Sequence, residues 1–372
     1  MIKHIYTFLF FLFTWQLALA QNKILINNPS SFERKELISL DYEKLIAKFS
    51  IDSIFTVKDI EGNILPIQLE YLGKPSIQNV LILVSLKPKE KKEIFIYKEA
   101  NPLFDSRTYA RKVPERFDDF AWENDVVAFR IYGKALEGRA DDAQGIDFWA
   151  KRTSNLIIDK WYKSEDYHTD HGEGLDYYSV GKTLGLGDIA IFQNNNLLFT
   201  KHYRNYRILD NGPLRTTFVL EYEEQDFNGE KISFTKTISI DAGSYYNKIT
   251  LNFNNQNNKQ TDIVVGLVKR KESEPIYRMK KNWYSLTYWE PEINKSGNTA
   301  SAIILPHKNV IPILDKKEQF LFKTNVKNNA SFRYYNAAAW NRAAVVNSFD
   351  QWKQMIDEIE EKQKKPIIIR LK

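Results

Sequence analysis

The segment YHTDHGEGLDYYSVGKTLGLGD, residues 167–188, holds two histidines, three tyrosines and five glycines. The chain has only five histidines, and three of them (His168, His171 and His202) fall between residues 168 and 202. Imidazole next to Asp170 and Glu173 admits two chemistries. One is a zinc or manganese site, because both metals accept imidazole nitrogen and carboxylate oxygen. Gly172 and Gly174 argue against the helix that would set both rings on one face, and the H-E-x-x-H pattern is absent. The other chemistry is proton transfer. A free imidazole titrates near pH 6.5, at about neutrality, and a tyrosine can carry a proton where cations lower its pKa. Tyr162, Tyr167, Tyr177 and Tyr178 flank the histidines, and Lys160, Lys163 and Lys182 supply cations. The expectation is an acid–base site built from Tyr162, Tyr167, His168 and His171, with no metal and no cofactor. A purely structural role, with Asp170 and Glu173 orienting the rings in a rigid loop, stays open.

Cations beside aromatic rings extend the pattern. GIDFWAKRTSNLIIDKWYKSED contributes Trp149, Lys151, Arg152, Lys160, Trp161 and Tyr162. A guanidinium can fork a sugar carboxylate while an aromatic face packs on the ring. The tryptophans themselves are expected in the core. Alternate residues of a strand share a face, so in VVAFRIYG the residues Val127, Phe129 and Ile131 read as core. Ala128, Arg130 and Tyr132 then lie on the opposite face. In HYRNYRI, His202, Arg204 and Tyr206 alternate with Tyr203, Asn205 and Arg207. The candidates for binding an acidic sugar are Arg130, Tyr132, Arg152, Lys160, His202, Arg204 and Arg207, on a polar concave sheet surface. An ordinary solvent-facing sheet is the alternative.

These residues need a scaffold, and the sequence suggests a β-rich one. Residues 1–20 read as a secretory signal: Lys3, an apolar run, then Ala18 and Ala20 before the cut. Export to a periplasm or the outside follows, with no membrane anchor in the mature chain. The 372 residues include no cysteine, which excludes disulfides and thiolate metal sites. The net charge of +6 is spread over mixed-sign runs, which speaks against nucleic acid and is compatible with an anionic substrate. Residues 21–100 read as short strands, among them LIAKFSI, FTVKDIEG and LPIQLEYLG with a hairpin turn at KDIEGNILP, and suggest a smaller N-terminal β-sandwich. Pro102 and Pro114 bracket a linker. From there residues 101–372 read as a large antiparallel β-sandwich, all-β except for one late helix. That helix is SFDQWKQMIDEIEEKQKK, with Phe349, Trp352, Met355, Ile356 and Ile359 at helical spacing and Ser348 as N-cap.

The blocks FAWENDVVAFRIYGKAL, GIDFWAKR, IIDKWY, YHTDHGEGLDYYSVGKTLGLG and YRILDNGPLRTTFVLEY resemble, in order, a family of Bacteroidota polysaccharide-utilisation loci that includes the ulvan-oligosaccharide dehydratase. The resemblance spans roughly residues 22–365; relatives often carry cysteine or glycine where this chain has Leu186. It implies a galactose-mutarotase-like super-sandwich and a uronate-containing, sulfated oligosaccharide as partner. It also implies the loss of water from a non-reducing-end uronic acid. A polysaccharide lyase and a non-catalytic carbohydrate-binding protein are the competing expectations.

Overall fold

The computed structural model describes residues 22–164, 166–257 and 259–372. The leader read at residues 1–20 lies outside them. Among the described residues the strands form five antiparallel sheets. Two of these make a small sandwich. A four-stranded sheet contains Asn22–Asn27, Thr56–Asp59 and Lys91–Tyr97, and a three-stranded one contains Arg34–Asp41, Ile67–Glu70 and Asn79–Leu86. Ile24, Val57, Val80, Ile82 and Ile94 are fully buried between them.

One local reading is corrected here and another refined. LIAKFSI is not a strand: Tyr42–Phe49 is helix α1, capped by the Asp41 carboxylate, which accepts from Lys44 N at 2.9 Å. Leu45 and Phe49, four residues apart, enter the core. A short apolar run fits either period, and here the Asp cap decides. The hairpin turn after Asp59 does form, with Asp59 N donating to Asn63 O at 3.0 Å, Leu65 N to Val57 O at 2.8 Å and Lys58 bridging Ile64 antiparallel, and beyond it the two strands part. Thr56–Asp59 pairs with Lys91–Tyr97, whereas Ile67–Glu70 pairs with Asn79–Leu86 in the opposite sheet.

The chain end returns to this unit. Ile368–Leu371 pairs with Asn22–Asn27. Arg34, almost fully buried, donates to the carbonyls of Lys362 at 2.9 Å and Lys365 at 2.6 Å. The late helix lies between, so in chain order two further helices come first: α1, a short α2 (Ile158–Lys163) and then α3 (Phe349–Lys364). Ser348 caps α3, and Trp352, Ile356 and Ile359 pack on Ala300, Ala302, Ala337 and Ala339.

The large sandwich has an eight-stranded sheet running from Asn205–Asn211 at one edge to Ile276–Lys280 at the other. A five-stranded sheet containing Leu186–Gln193, Thr261–Val268 and Gln319–Val326 shares its core. A second five-stranded sheet has the spatial order Gly174–Leu175, Ile146–Lys151, Ala128–Ile131, Asp119–Asn124 and Thr108–Val113. Its Phe120, Trp122, Phe129 and Phe148 join the same core.

The opposite face of that last sheet is not open. Ala121, Ala128 and Trp149 are roofed by Ile157, Ile158 and Trp161 of the α2 segment. A fully buried ion pair holds the roof down: Glu123 accepts from the amides of Ile157 and Ile158, each at 2.8 Å, and so fixes the first turn of α2. Lys151 Nζ spends its three protons on Glu123 and on the carbonyls of Asn124 and Asn155. An exposed polar sheet was expected at Arg130. Instead both faces of its strand are buried, because a loop of the same domain covers the second one.

Candidate active site

Charged groups collect beneath one end of this roof. Strand register places Arg130 directly opposite Ala121 on one side and Asp147 on the other. Asp119, two residues before Ala121, shares their face, and Asp176 enters just after the short strand Gly174–Leu175. Arg130 is 4 % exposed. Its Nε donates to Asp147 Oδ2 at 2.9 Å, and its Nη2 donates to the same oxygen and to Asp176 Oδ2, the latter at 3.0 Å. Asp119 Oδ2 lies 3.8 Å from Arg130 Nη1 and accepts from the Tyr162 hydroxyl at 3.3 Å. The guanidinium also sits 5.2 Å from the Tyr132 ring centre and 5.3 Å from that of Trp149.

Three carboxyls and one fully buried cation cannot all be ionised cheaply. Burial pushes Asp119 up to about 7 against the pull of Arg130 and Arg116, and pushes Asp176 up to about 7 against Arg130. Both carboxyls therefore change charge near neutrality, the range in which a group can serve as acid and as base. Burial also raises Tyr132 and Tyr162 well above the ordinary tyrosine range. Cation-lowered tyrosines were expected; desolvation outweighs the cations, so both remain phenols and proton donors.

His168 stands at the edge of this cluster. Its Nδ1 lies 2.8 Å from the carbonyl oxygen of Asp176, and only an N–H can satisfy that carbonyl. In the neutral ring this fixes the tautomer and puts the lone pair on Nε2, which has no hydrogen bond among the described residues. The Asp176 carboxylate lies 3.8 Å from the same Nδ1, and the ring packs 4.5 Å from Tyr167, which stacks on Trp149. The side chain is 64 % exposed. Tyr167's hydroxyl likewise has no hydrogen bond among the described residues.

The other expected residues go elsewhere. His171 is exposed and meets only Asp166, at 3.3 Å. Arg152 braces the loop through Gly172 O at 3.1 Å and Asp170 at 2.8 Å, and Lys160 pairs with Glu173 at 2.6 Å. His202 is buried with Asp142 at 2.8 Å, Arg204 is held by Glu137 and Glu223, and Arg207 pairs with Glu221 on the edge strand. Arg130 itself is neutralised by its own carboxylates along the Nε–Nη2 edge. Trp149 and Trp161 are core residues, stacked 5.5 Å apart. Of the expected site residues, the structure brings together Arg130, Tyr132, Tyr162, Tyr167 and His168.

Asp119, Asp147 and Asp176 were missed. Each is an acid beside apolar neighbours, in DDFAWEN, GIDFW and GLDYY. Only strand pairing reveals that the three meet. Among the described residues no group of three or more His, Asp or Glu side chains could hold a metal ion. A cleft of about 330 Å³ lies apart from this cluster, between the small sandwich and α3, lined by Lys35, Asp241, Tyr245, Met355 and Lys362. It contains no histidine, and the cluster at Arg130 is the better chemical site.

Titration of Asp119 should be visible in stability. Its folded pKa lies above its ordinary 3.8, so its contribution is complete below about pH 4 and fades as pH rises through about 7. Wild-type melting temperature should therefore fall between about pH 4 and about pH 7, and Asp119→Asn should flatten part of that fall. Identical pH slopes for the two proteins in thermal melts would remove Asp119 from the account.

The arrangement can be set beside known proteins. A family model described as "Domain of unknown function (DUF4861)" matches residues 26–369. The chain belongs to that family. Uncharacterized protein P7 of Formosa agariphila is 29% identical over 367 residues, covering 92% of this chain and 90% of that protein. Among solved structures, an α-mannosidase from Enterococcus faecalis V583 superposes with a TM-score of 0.52 at 9% identity, over 94% of this chain and 46% of that one. A glycosyl hydrolase family 38 protein from Enterococcus faecalis gives 0.53 at 8% identity, over 95% and 47%. This chain thus spans just under half the length of those structures, and at such identity the likeness is one of fold, the large antiparallel β-sandwich.

Proposed function

We propose that the protein is a hydro-lyase that removes water from the non-reducing-end uronic acid of ulvan-type oligosaccharides, leaving a 4,5-unsaturated uronyl end. The observation that carries it is His168, whose Nδ1 donates to Asp176 O, so that the neutral ring presents Nε2 as a base, with the Asp176 carboxyl, which burial pushes up to about 7, 3.8 Å from Nδ1. The substrate class rests on the resemblance of the central sequence blocks, and export on the leader sequence.

Elimination needs three things: a base for H5, a donor for O4, and neutralisation of the carboxylate whose charge grows as C5 loses its proton. In glucuronate H5 and O4 share a ring face, so adjacent groups suffice. His168 Nε2 takes the C5 proton, the C5–H electrons become the C4=C5 bond, and the C4–O4 bond breaks. O4 takes a proton from a phenol, Tyr167 or Tyr162, and departs as water. Solvent reprotonates the tyrosine and deprotonates the imidazolium.

The test is substrate size. Short oligosaccharides with a saturated terminal uronate should gain the unsaturated chromophore, while an intact polymer solution keeps its viscosity. Oligosaccharides already unsaturated at the end should be inert. Rapid viscosity loss would make the protein a polysaccharide lyase, with a sugar as leaving group. Retained binding without any product would make it a carbohydrate-binding protein.

A further inference from the structure

The outer edge of the Arg130 cluster has unmet hydrogen-bonding capacity. Arg130 Nη1, Arg116 Nη1 and Asp119 Oδ1 are all buried and have no hydrogen-bond partner. The two guanidinium nitrogens lie 3.8 Å and 3.9 Å from Asp119 Oδ2, beyond hydrogen-bond range but within reach of an atom placed between them. Burying three such groups unpaired is costly, so their convergence calls for an occupant. The Tyr162 hydroxyl borders the same space through its bond to Asp119. Arg116 is about a third exposed along its side chain although its Nη1 is buried, so it stands on the solvent side of the group.

The backbone here is held in a costly shape. Phe117 and Asp118 take positive φ values of 51° and 61° in succession, and neither is glycine. Such residues persist only where their surroundings fix them, and they concentrate at working sites. Three contacts fix this turn. The Tyr203 hydroxyl donates to Asp118 O at 2.5 Å, Lys112 pairs with Asp118 at 2.7 Å, and Arg139 lies 4.1 Å above the Phe117 ring. A Cβ on Gly133 would sit 1.9 Å from Asp118 O, so only glycine lets the neighbouring strand end pass. The result is that Arg116 and Asp119 are aimed at one point.

The geometry points to this gap as the subsite for the substrate's carboxylate, received by Arg116 Nη1 and Arg130 Nη1 and bordered by Asp119. The inference rests on the uronate reading above and adds to it the residue that neutralises the C6 charge, Arg116. Arg130 links the two halves, because its Nη2 edge supports Asp176 behind the base while its Nη1 faces the carboxylate. Asp119 must be protonated to share the gap with an anion, and its burial-raised pKa of about 7 makes that possible at neutral pH. The groups facing Asp119 are Arg116 from the turn, Arg130, Asp147 and Tyr132 from the sheet, Tyr162 from α2 and Tyr203 beneath the turn. Carboxylate binding should therefore take up a proton and weaken above about pH 7.

The probe is a trisaccharide with a 4,5-unsaturated uronate end, which keeps the carboxylate but offers no water to lose, alongside its carboxyl-reduced counterpart. Calorimetry on the full-length mature protein should show Arg116→Ala weakening the carboxylated probe by at least roughly tenfold, with the reduced probe unaffected. Arg116→Lys should fall between, and Asp119→Asn should abolish proton uptake measured in two buffers. Equal binding of both probes by wild type and Arg116→Ala would mean that the gap holds water only, and would overturn the assignment. A melting curve checks that the variants fold; if Arg116→Ala does not, Arg116→Gln serves. Wild-type turnover that persists unchanged in Arg116→Ala would sink the subsite alone. Arg116-dependent binding with no turnover in wild type would sink the dehydratase reading alone.

Discussion

Replacing His168 by alanine should abolish the unsaturated chromophore, a loss of about 10²–10⁴-fold or more, while the melting temperature stays close to wild type. The side chain is largely exposed, and its one polar bond is to the Asp176 carbonyl. Its removal opens no cavity and strands no buried charge. His171→Ala should behave differently and keep activity within a few-fold, since that ring meets only the exposed Asp166. Rates measured on the same oligosaccharide decide the matter. If both variants are fully active, or if His171→Ala is the dead one, the base has been misassigned.

The second large effect is on stability. Arg130→Met should lower the melting temperature by roughly 5–10 °C at about pH 8, because Asp119, Asp147 and Asp176 would share a buried site without their paired cation. Breaking a buried pair from one side costs about 3–5 kcal/mol, a large share of the net stability of a folded protein. The loss should shrink at about pH 5, where Asp119 and Asp176 accept protons and no longer require the cation. Arg130→Lys should recover only part, since a point charge cannot face Asp147, Asp176 and Asp119 along separate edges. A melting temperature that is unchanged at both pH values would show that the three carboxyls are not buried around Arg130.

Much of the scaffold was legible in the chain. Alternation marked Val127, Phe129 and Ile131 as core, and the spacing of Trp352, Ile356 and Ile359 marked α3. The histidine-rich segment was legible as a loop because glycine and imidazole together suit neither a strand nor a helix. Gly174 shows the reason in detail: its φ is 123°, and a Cβ there would lie 2.0 Å from Ala150 O. What the sequence could not reveal was the roof. Arg130 alternates with core residues as a solvent-facing residue would. Only the Glu123–Lys151 clamp, which joins residues 28 apart, folds α2 over it. The acids of the cluster come from three separate strands or strand ends, so no local spacing announces them. The cations at Arg152, Lys160, Arg204 and Arg207 looked available because their partners, Asp170, Glu173, Glu137 and Glu221, are set by loop and strand pairing.

The measurement that tests the central claim most directly is the mass and double-bond position of the product from a short oligosaccharide ending in saturated glucuronate. The account predicts a product lighter by one water with a C4=C5 double bond in the terminal ring, formed by wild type and not by His168→Ala. Two smaller fragments, an unchanged substrate, or the same product at the same rate from His168→Ala would contradict it.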